Sequence, residues 1–211
     1  MIPCGVSEQF RPPSSRASVE EEVRVRFGLA ARYLLHVGGF GPSKNIVGLL
    51  SAFGQLVNQP AFTSTQLVFV GKREGDAVYD EERAIDHRLE QDDLKDRVRF
   101  LGFQPDASLV LLYQAAAALL LPSFVEGFGL SAVEAAKCGT PAIVTRGSPL
   151  PGLLDDAAVS IEPQNTNELA HTMARVLTDD RPREAARAIA ARFGWNASAH
   201  AALATFKRAL E

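Results

Sequence analysis

The stretch ALLLPSFVEGFGLSAVEAAKCG, residues 118–139, changes its periodicity twice. Ala118–Leu121 is an unbroken apolar run stopped by Pro122, the pattern of a strand covered on both faces. A loop containing Gly127 and Gly129 follows, and residues 131–138 then read as a helix. Strand, glycine loop and helix together form the unit from which parallel sheets are wound.

The unit recurs on both sides. Tyr33–Val37 is a short apolar run ended by Gly38 and Gly39, and residues 46–57 carry apolar side chains at helical spacing. Leu67–Val70 ends at Gly71, and residues 79–90 form a charged helix. Val98–Leu101 ends at Gly102, and Asp106 is placed to cap a helix through Tyr113. A fifth strand spans residues 141–145 and a sixth 159–161, and the remaining residues are helical. Residues 1–15 are broken by Pro3, Gly5, Pro12 and Pro13, and SVEE at 18–21 has the form of a capping box opening a helix that ends near Gly28. The expected fold is a doubly wound α/β domain whose ligand lies beyond the carboxyl ends of the strands. Glycines ending three strands mark that rim.

Composition narrows the function. At 211 residues, with 46% hydrophobic and 22% charged residues, the chain fits one globular domain. A net charge of -3 argues against a nucleic-acid-binding face, which needs clustered Lys and Arg. No apolar run approaches the ~20 residues that span a bilayer. The first residues lack the basic and apolar regions of a signal peptide. Cys4 and Cys138 are far apart, so a reduced, cytoplasmic protein is expected.

Glycine-rich backbone at the mouth of a helix can approach an anion closely. The N–H groups of Phe128, Gly129 and Leu130, with the helix N-terminus behind them, suit a diphosphate. Positive φ is expected at Gly127 and Gly129.

Glu126 and Glu134, framed as EGFGLSAVE, resemble the E-x7-E signature of the group 1 (family four) retaining glycosyltransferases. Other segments match that family in order. IPCGVSEQFRP (2–12) is similar to its interdomain linker and LLHVGGFGPSKNI (34–46) to the first strand and phosphate loop of its carboxyl-terminal domain. LVFVG (67–71), VRFLGF (98–103), CGTPAIV (138–144), SPLPGLLDDAAVSIEP (148–163) and FGWNASA (193–199) follow.

The resemblance implies one half of a GT-B fold. Residues 1–15 would be an interdomain linker and 16–211 the nucleotide-sugar donor domain, with the amino-terminal acceptor domain absent. Glu126 and the backbone of Phe128, Gly129 and Leu130 would face the sugar and phosphates, Glu134 the ribose. Lys44 would neutralise the distal phosphate, backbone groups of Leu101, Gly102 and Phe103 would take the base, and Gly38, Gly39 and Gly71 would line the cleft. No cofactor or obligatory divalent metal is implied, and the chain has no DxD triplet.

GSPLP and DDAA resemble mannosyltransferase-like members, which favours GDP-mannose over a UDP-hexose as donor. The acceptor, a saccharide or lipid-linked saccharide, would sit on the missing domain, where any attachment to the inner membrane face would also reside. Where the family often carries an Arg just before the Lys, this chain has Gly39 and Ser43. Lys72, Arg73 or Arg146 would have to supply that charge. Pro151-Gly152 replaces the usual Pro-Glu.

Each reading has a plain structural rival. Ser131-x-x-Glu134 is itself a capping box. Lys44 could be a solvated lysine, His36 and Cys138 core residues, and Trp195 and Phe193 anchors of the last helix. The Asp-Asp pairs at 92–93, 155–156 and 179–180 suit loops and caps. Gly38-Gly-Phe-Gly41 lacks the third glycine of a dinucleotide fingerprint, which disfavours an oxidoreductase. No nucleotide-sugar epimerase motif matches. A non-catalytic nucleotide-sugar-binding or interaction module remains the alternative.

Overall fold

Six strands pair in parallel in the order β3-β2-β1-β4-β5-β6 in the computed structural model, which describes residues 4–73 and 79–209. The first three residues of the expected linker and the last two of the expected domain lie outside the described residues. The strands are β1 (Tyr33–Val37), β2 (Gln66–Val70), β3 (Val98–Phe100), β4 (Ala118–Leu121), β5 (Ala142–Thr145) and β6 (Ala158–Ile161). The helices are α1 (Arg16–Phe27), α2 (Ile46–Val57), α3 (Tyr79–Gln91), α4 (Asp106–Ala115), α5 (Leu130–Lys137), α6 (Leu150–Leu154), α7 (Thr166–Val176), α8 (Arg181–Ile189) and α9 (Trp195–Ala209).

Alternation along the strands explains why the central strands read as almost wholly apolar, while the edge strands β3 and β6 carry Arg99 and Ser160. Tyr33, Leu35, Val68, Val70, Leu119, Leu121, Ala142 and Val144 point to one face, beneath α1, α4, α5 and α8. Leu34, Leu67, Phe69, Ala118, Leu120 and Ile143 point to the other, beneath α2, α3 and α7. A period of two with both phases apolar is what a sheet between two helical layers requires. Strand order reverses between β1 and β4, so the crevice outside their carboxyl ends is the place where this topology receives ligands.

Of the rim glycines, Gly71 is a packing requirement. Gly38 N–H donates to Val70 O at 3.0 Å, and Gly71 N–H donates to Gly102 O at 3.0 Å. A Cβ on Gly71 would stand 1.9 Å from Gly38 O, and the φ of Gly71 is +149°.

Several boundaries differ from expectation. Ser15, not Ser18, caps α1, its side chain accepting from Ser18 N–H, because the helix begins three residues earlier, at Arg16. Asp106 is the first residue of α4 rather than its cap, and accepts from Gln9 Nε2 at 2.8 Å. Leu101 leaves β3, since its N–H still reaches Phe69 O while its own carbonyl accepts from Gln104 Nε2.

Residues 4–15 lie on the domain. Val6 and Phe10 are buried. The ammonium of Lys137, itself buried, donates to Val6 O at 2.9 Å and to Glu8 Oε1 at 3.0 Å. Of the two expected anchors of the last helix, Phe193 is buried, while Trp195 is 61% exposed and packs its ring against Gly5, where a Cβ would clash with it.

Gly71→Ala is expected to cost at least ~2 kcal/mol, because a backbone carbonyl cannot retreat as a side chain can. Gly127→Ala, where a Cβ meets nothing within 4 Å, is the control and is expected to fall within about 0.5 kcal/mol of the parent. Thermal unfolding of the two variants checks both.

Candidate functional site

Lys44 and Glu126 meet at the β1–β4 crevice. The sequence between Gly38 and Ile46 makes one 3-10 turn over Pro42–Lys44, which places Lys44 just before α2. Its Nζ lies 3.0 Å from Glu126 Oε2, and the Ser123 hydroxyl donates to the same oxygen at 3.1 Å. No described donor reaches Oε1. Phe124 N–H donates to Ser43 O at 2.8 Å, tying the two loops together. A partly exposed ion pair of this kind contributes only ~0–1 kcal/mol, so an arriving anion can displace the carboxylate from the ammonium.

Asn45 holds this arrangement and had no role in the sequence reading. It is buried, adopts left-handed φ 56°, and its amide donates to Pro122 O at 3.1 Å and Pro163 O at 2.6 Å. The signal lay three residues on: a Cβ at position 48 would come 2.3 Å from Asn45 Oδ1, so only glycine leaves room. Ser123 was also missed, although Ser-x-x-Glu126 is a local hydroxyl–carboxylate spacing.

The glycine loop behaves as expected in part. Gly129 has φ 71° and is the N-cap of α5, but Gly127 does not have positive φ. One left-handed residue is enough to turn the chain into the helix. No side chain caps α5, and the N–H groups of Phe128, Gly129, Leu130 and Ser131 find no acceptor among the described residues. The Ser131-x-x-Glu134 capping box does not form. Glu134 instead accepts from the Tyr113 hydroxyl at 2.9 Å, and burial raises its carboxyl above the ordinary range against the lowering effect of that bond. Phe128 packs partly on the core and partly lines an apolar groove with Gly5, Trp195 and Ala199.

A second part of the rim is a hollow of about 300 Å³ with Gly38, Gly39, Gly71 and Phe103 in its wall, adjoining another with Gly102, Lys72 and Phe100. Phe103 is 71% exposed there. Of the backbone groups expected to meet a base, those of Leu101 and the carbonyl of Gly102 are already bonded, which leaves the N–H groups of Gly102 and Phe103 and the carbonyl of Phe103.

The candidates for a second cation separate. Arg146 is held by Glu162 and Glu168, each at 2.7 Å. Arg73 stacks 4.6 Å over Phe100 and pairs with Asp86 at 3.0 Å. Lys72 is exposed on the hollow, with no ion pair among the described residues. His36 is a core residue whose Nδ1 lies 2.9 Å from Leu120 O, and burial lowers its pKa. Cys138 is a core residue, and burial pushes its thiol up to about 12. Among the described residues no cluster of His, Cys, Asp and Glu has metal-ligand geometry, and no helix is long and apolar enough to cross a membrane.

The family model "Glycosyl transferases group 1" matches residues 20–193. O-antigen chain mannosyltransferase B of Escherichia coli is 34% identical over 158 residues, covering 74% of this chain and 39% of that protein. Among solved structures, sucrose-phosphate synthase from Thermosynechococcus elongatus superposes with TM-score 0.78 at 29% identity, covering 99% of this chain and 52% of that one. The C-terminal domain of the group 1 glycosyl transferase LpcC of Francisella tularensis superposes with TM-score 0.72 at 20% identity, covering 93% and 97%. This chain therefore spans about half the length of the full-length proteins it resembles, and its sheet is the doubly wound half of a GT-B architecture.

Asn45→Ala is expected to cost about 2–3 kcal/mol, since it strands two buried carbonyls and leaves a Cβ at positive φ. At ~2–4 °C per kcal/mol for a chain of this size, the melting temperature should fall by roughly 4–12 °C. Asn45→Gly, which accepts the backbone conformation, should lose less.

Proposed function

The chain belongs to the group 1 glycosyl transferases, and from that premise we propose that it is the donor-binding half of a retaining hexosyltransferase. The observation that carries this reading is the run of unpaired amides at the mouth of α5, beside the Lys44–Glu126 pair at the β1–β4 crevice.

Each part of a nucleotide-diphosphate-sugar finds a chemical counterpart there. The base rests on exposed Phe103 and the free N–H groups of Gly102 and Phe103. The ribose hydroxyls donate to Glu134. The diphosphate takes the amides of Phe128, Gly129 and Leu130, where the helix dipole adds to their field. Lys44 leaves Glu126 for the distal phosphate, and Glu126 is then free to accept from sugar hydroxyls. Lys72 is placed to supply the second cation that the family's usual Arg provides.

Transfer then needs no protein nucleophile. The bond from the anomeric carbon to the phosphate oxygen breaks with its electron pair going to the diphosphate. The acceptor hydroxyl forms the new bond from the same face, and its proton passes to the departing phosphate oxygen. Lys44 and the amides stabilise the charge that develops there without an obligatory divalent metal. Mannose from GDP-mannose is the favoured donor group, on the likeness to a mannosyltransferase and on the GSPLP and DDAA segments.

The acceptor, a saccharide or lipid-linked saccharide, binds a second domain equivalent to the half of the relatives that this chain does not span. Residues 1–15 link the two, and the exposed apolar side chains of α9 (Trp195, Leu203, Phe206) are available for contact with it. Closure of the halves excludes water from the labile donor. A module that binds nucleotide-sugar without transferring it is the second reading, favoured by the absence of Arg at 39 and 43.

Calorimetry tests the phosphate role. A charge-assisted hydrogen bond contributes ~1.5–3 kcal/mol, so Lys44→Ala should weaken GDP or UDP binding roughly tenfold to hundredfold. Guanosine or uridine binding should be unchanged, and equal losses for diphosphate and nucleoside reject the role. Residues 1–211 alone are expected to bind nucleotide but to transfer sugar far below the ~1 per second common for enzymes; turnover near that rate contradicts the need for a second half.

A further inference from the structure

Tyr113 has no place in the scheme above, yet its one hydroxyl bond goes to the carboxylate that the scheme assigns to the ribose. The side chain is wholly buried in α4, with its ring 6.1 Å from that of Phe10 and its backbone carbonyl held by the Thr140 hydroxyl at 2.6 Å. The phenol therefore has little freedom. It donates to Glu134 Oε2 at 2.9 Å, bridging α4 and α5. The neighbouring buried phenol, Tyr33, makes the contrast: its hydroxyl donates to a backbone carbonyl, Leu112 O, at 2.6 Å, a purely structural bond.

Glu134 has no other described support. Among the described residues no cation pairs with it and no helix-start amide donates to it, the two devices that usually hold a half-buried carboxylate. From inside a helix its side chain leans toward the helix N-terminus, and so toward the rim. A carboxylate offers about four lone-pair sites. With one taken by the phenol, the others remain for a diol, and the phenol sets the plane in which they lie.

We propose that Tyr113 is a positioning residue that aims the Glu134 carboxylate at the vicinal hydroxyls of the donor ribose, and thereby selects ribonucleotide over deoxyribonucleotide donors. The inference rests on the donor-site reading of Glu134. It carries an electrostatic corollary: burial and the nearby Asp106 charge both disfavour ionised Glu134, and the phenol is the group that offsets them. The other titratable neighbour, the Cys138 thiol, is held protonated by burial. The Tyr113 hydroxyl, whose own pKa is driven well above 10 mainly by burial, stays a donor at all working pH values.

The test compares the parent chain, Tyr113→Phe and Glu134→Gln, with GDP, UDP and the 2′,3′-dideoxy form of whichever binds more tightly. The parent should prefer the ribose form, Glu134→Gln should lose that preference, and Tyr113→Phe should reduce it about tenfold with unchanged affinity for the dideoxy form. Equal losses on both forms in Tyr113→Phe, or no loss, overturn the inference while leaving the Glu134 role intact. A ribose preference that persists in Glu134→Gln, or no nucleotide binding by the parent, removes the donor-site reading and the Tyr113 role together. A second measurement needs no ligand: the carboxyl carbon of Glu134, followed by NMR, should titrate at higher pH in Tyr113→Phe, and an unmoved midpoint contradicts the contact.

Discussion

The carbonyl oxygen of Gly38 occupies the space where a side chain on Gly71 would begin. That approach draws the carboxyl ends of β1 and β2 together, and the bond from Gly71 N–H to Gly102 O extends the seam to β3. What results is a floor of backbone, without side chains, beside the point where strand order reverses. Gly71 is therefore not a flexible joint but the residue that lets the ends of β1 and β2 share a space too small for a Cβ, while Gly38 and Gly102 contribute positive φ.

Charge is arranged on this floor in two ways. The amides at the start of α5 are fixed donors that reorganise little when an anion arrives, because no side chain caps them. Lys44 and Glu126 are the opposite, a pair whose members can exchange each other for a ligand at small cost. Asn45, at the start of α2, ties the Lys44 turn to the chain just past β4 and β6 through the carbonyls of Pro122 and Pro163. A site built so keeps its backbone rigid and lets only side-chain partners change.

The strands were legible because their burial on both faces leaves an unbroken apolar run between glycines or prolines, as in Tyr33–Val37 and Ala118–Leu121. The helix over residues 46–57 was legible through its apolar spacing. Caps were less so. Ser18 and Asp106 have the composition of caps, but each lies inside a helix that begins earlier, since a neighbouring residue takes the extended backbone conformation first. Phe103 and Lys44 could be placed on the rim from the sequence, and Ser123 and Asn45 left only the local signals of Ser-x-x-Glu126 and the glycine at 48, whereas Tyr113 left none, because its meaning lies in a contact 21 positions away.

By itself the sequence determined the doubly wound sheet, the identity of the rim and the acidic pair eight residues apart, all consequences of local periodicity and of glycine's lack of a side chain. Tertiary structure alone decided that Glu134 does not cap its own helix. A Ser131-x-x-Glu134 cap is a matter of one helix turn, but the phenol of Tyr113 arrives from α4, 21 positions away, and draws the carboxylate to itself. It likewise decided which arginines are already engaged, because an ion pair depends on distance in space and leaves no trace in spacing along the chain.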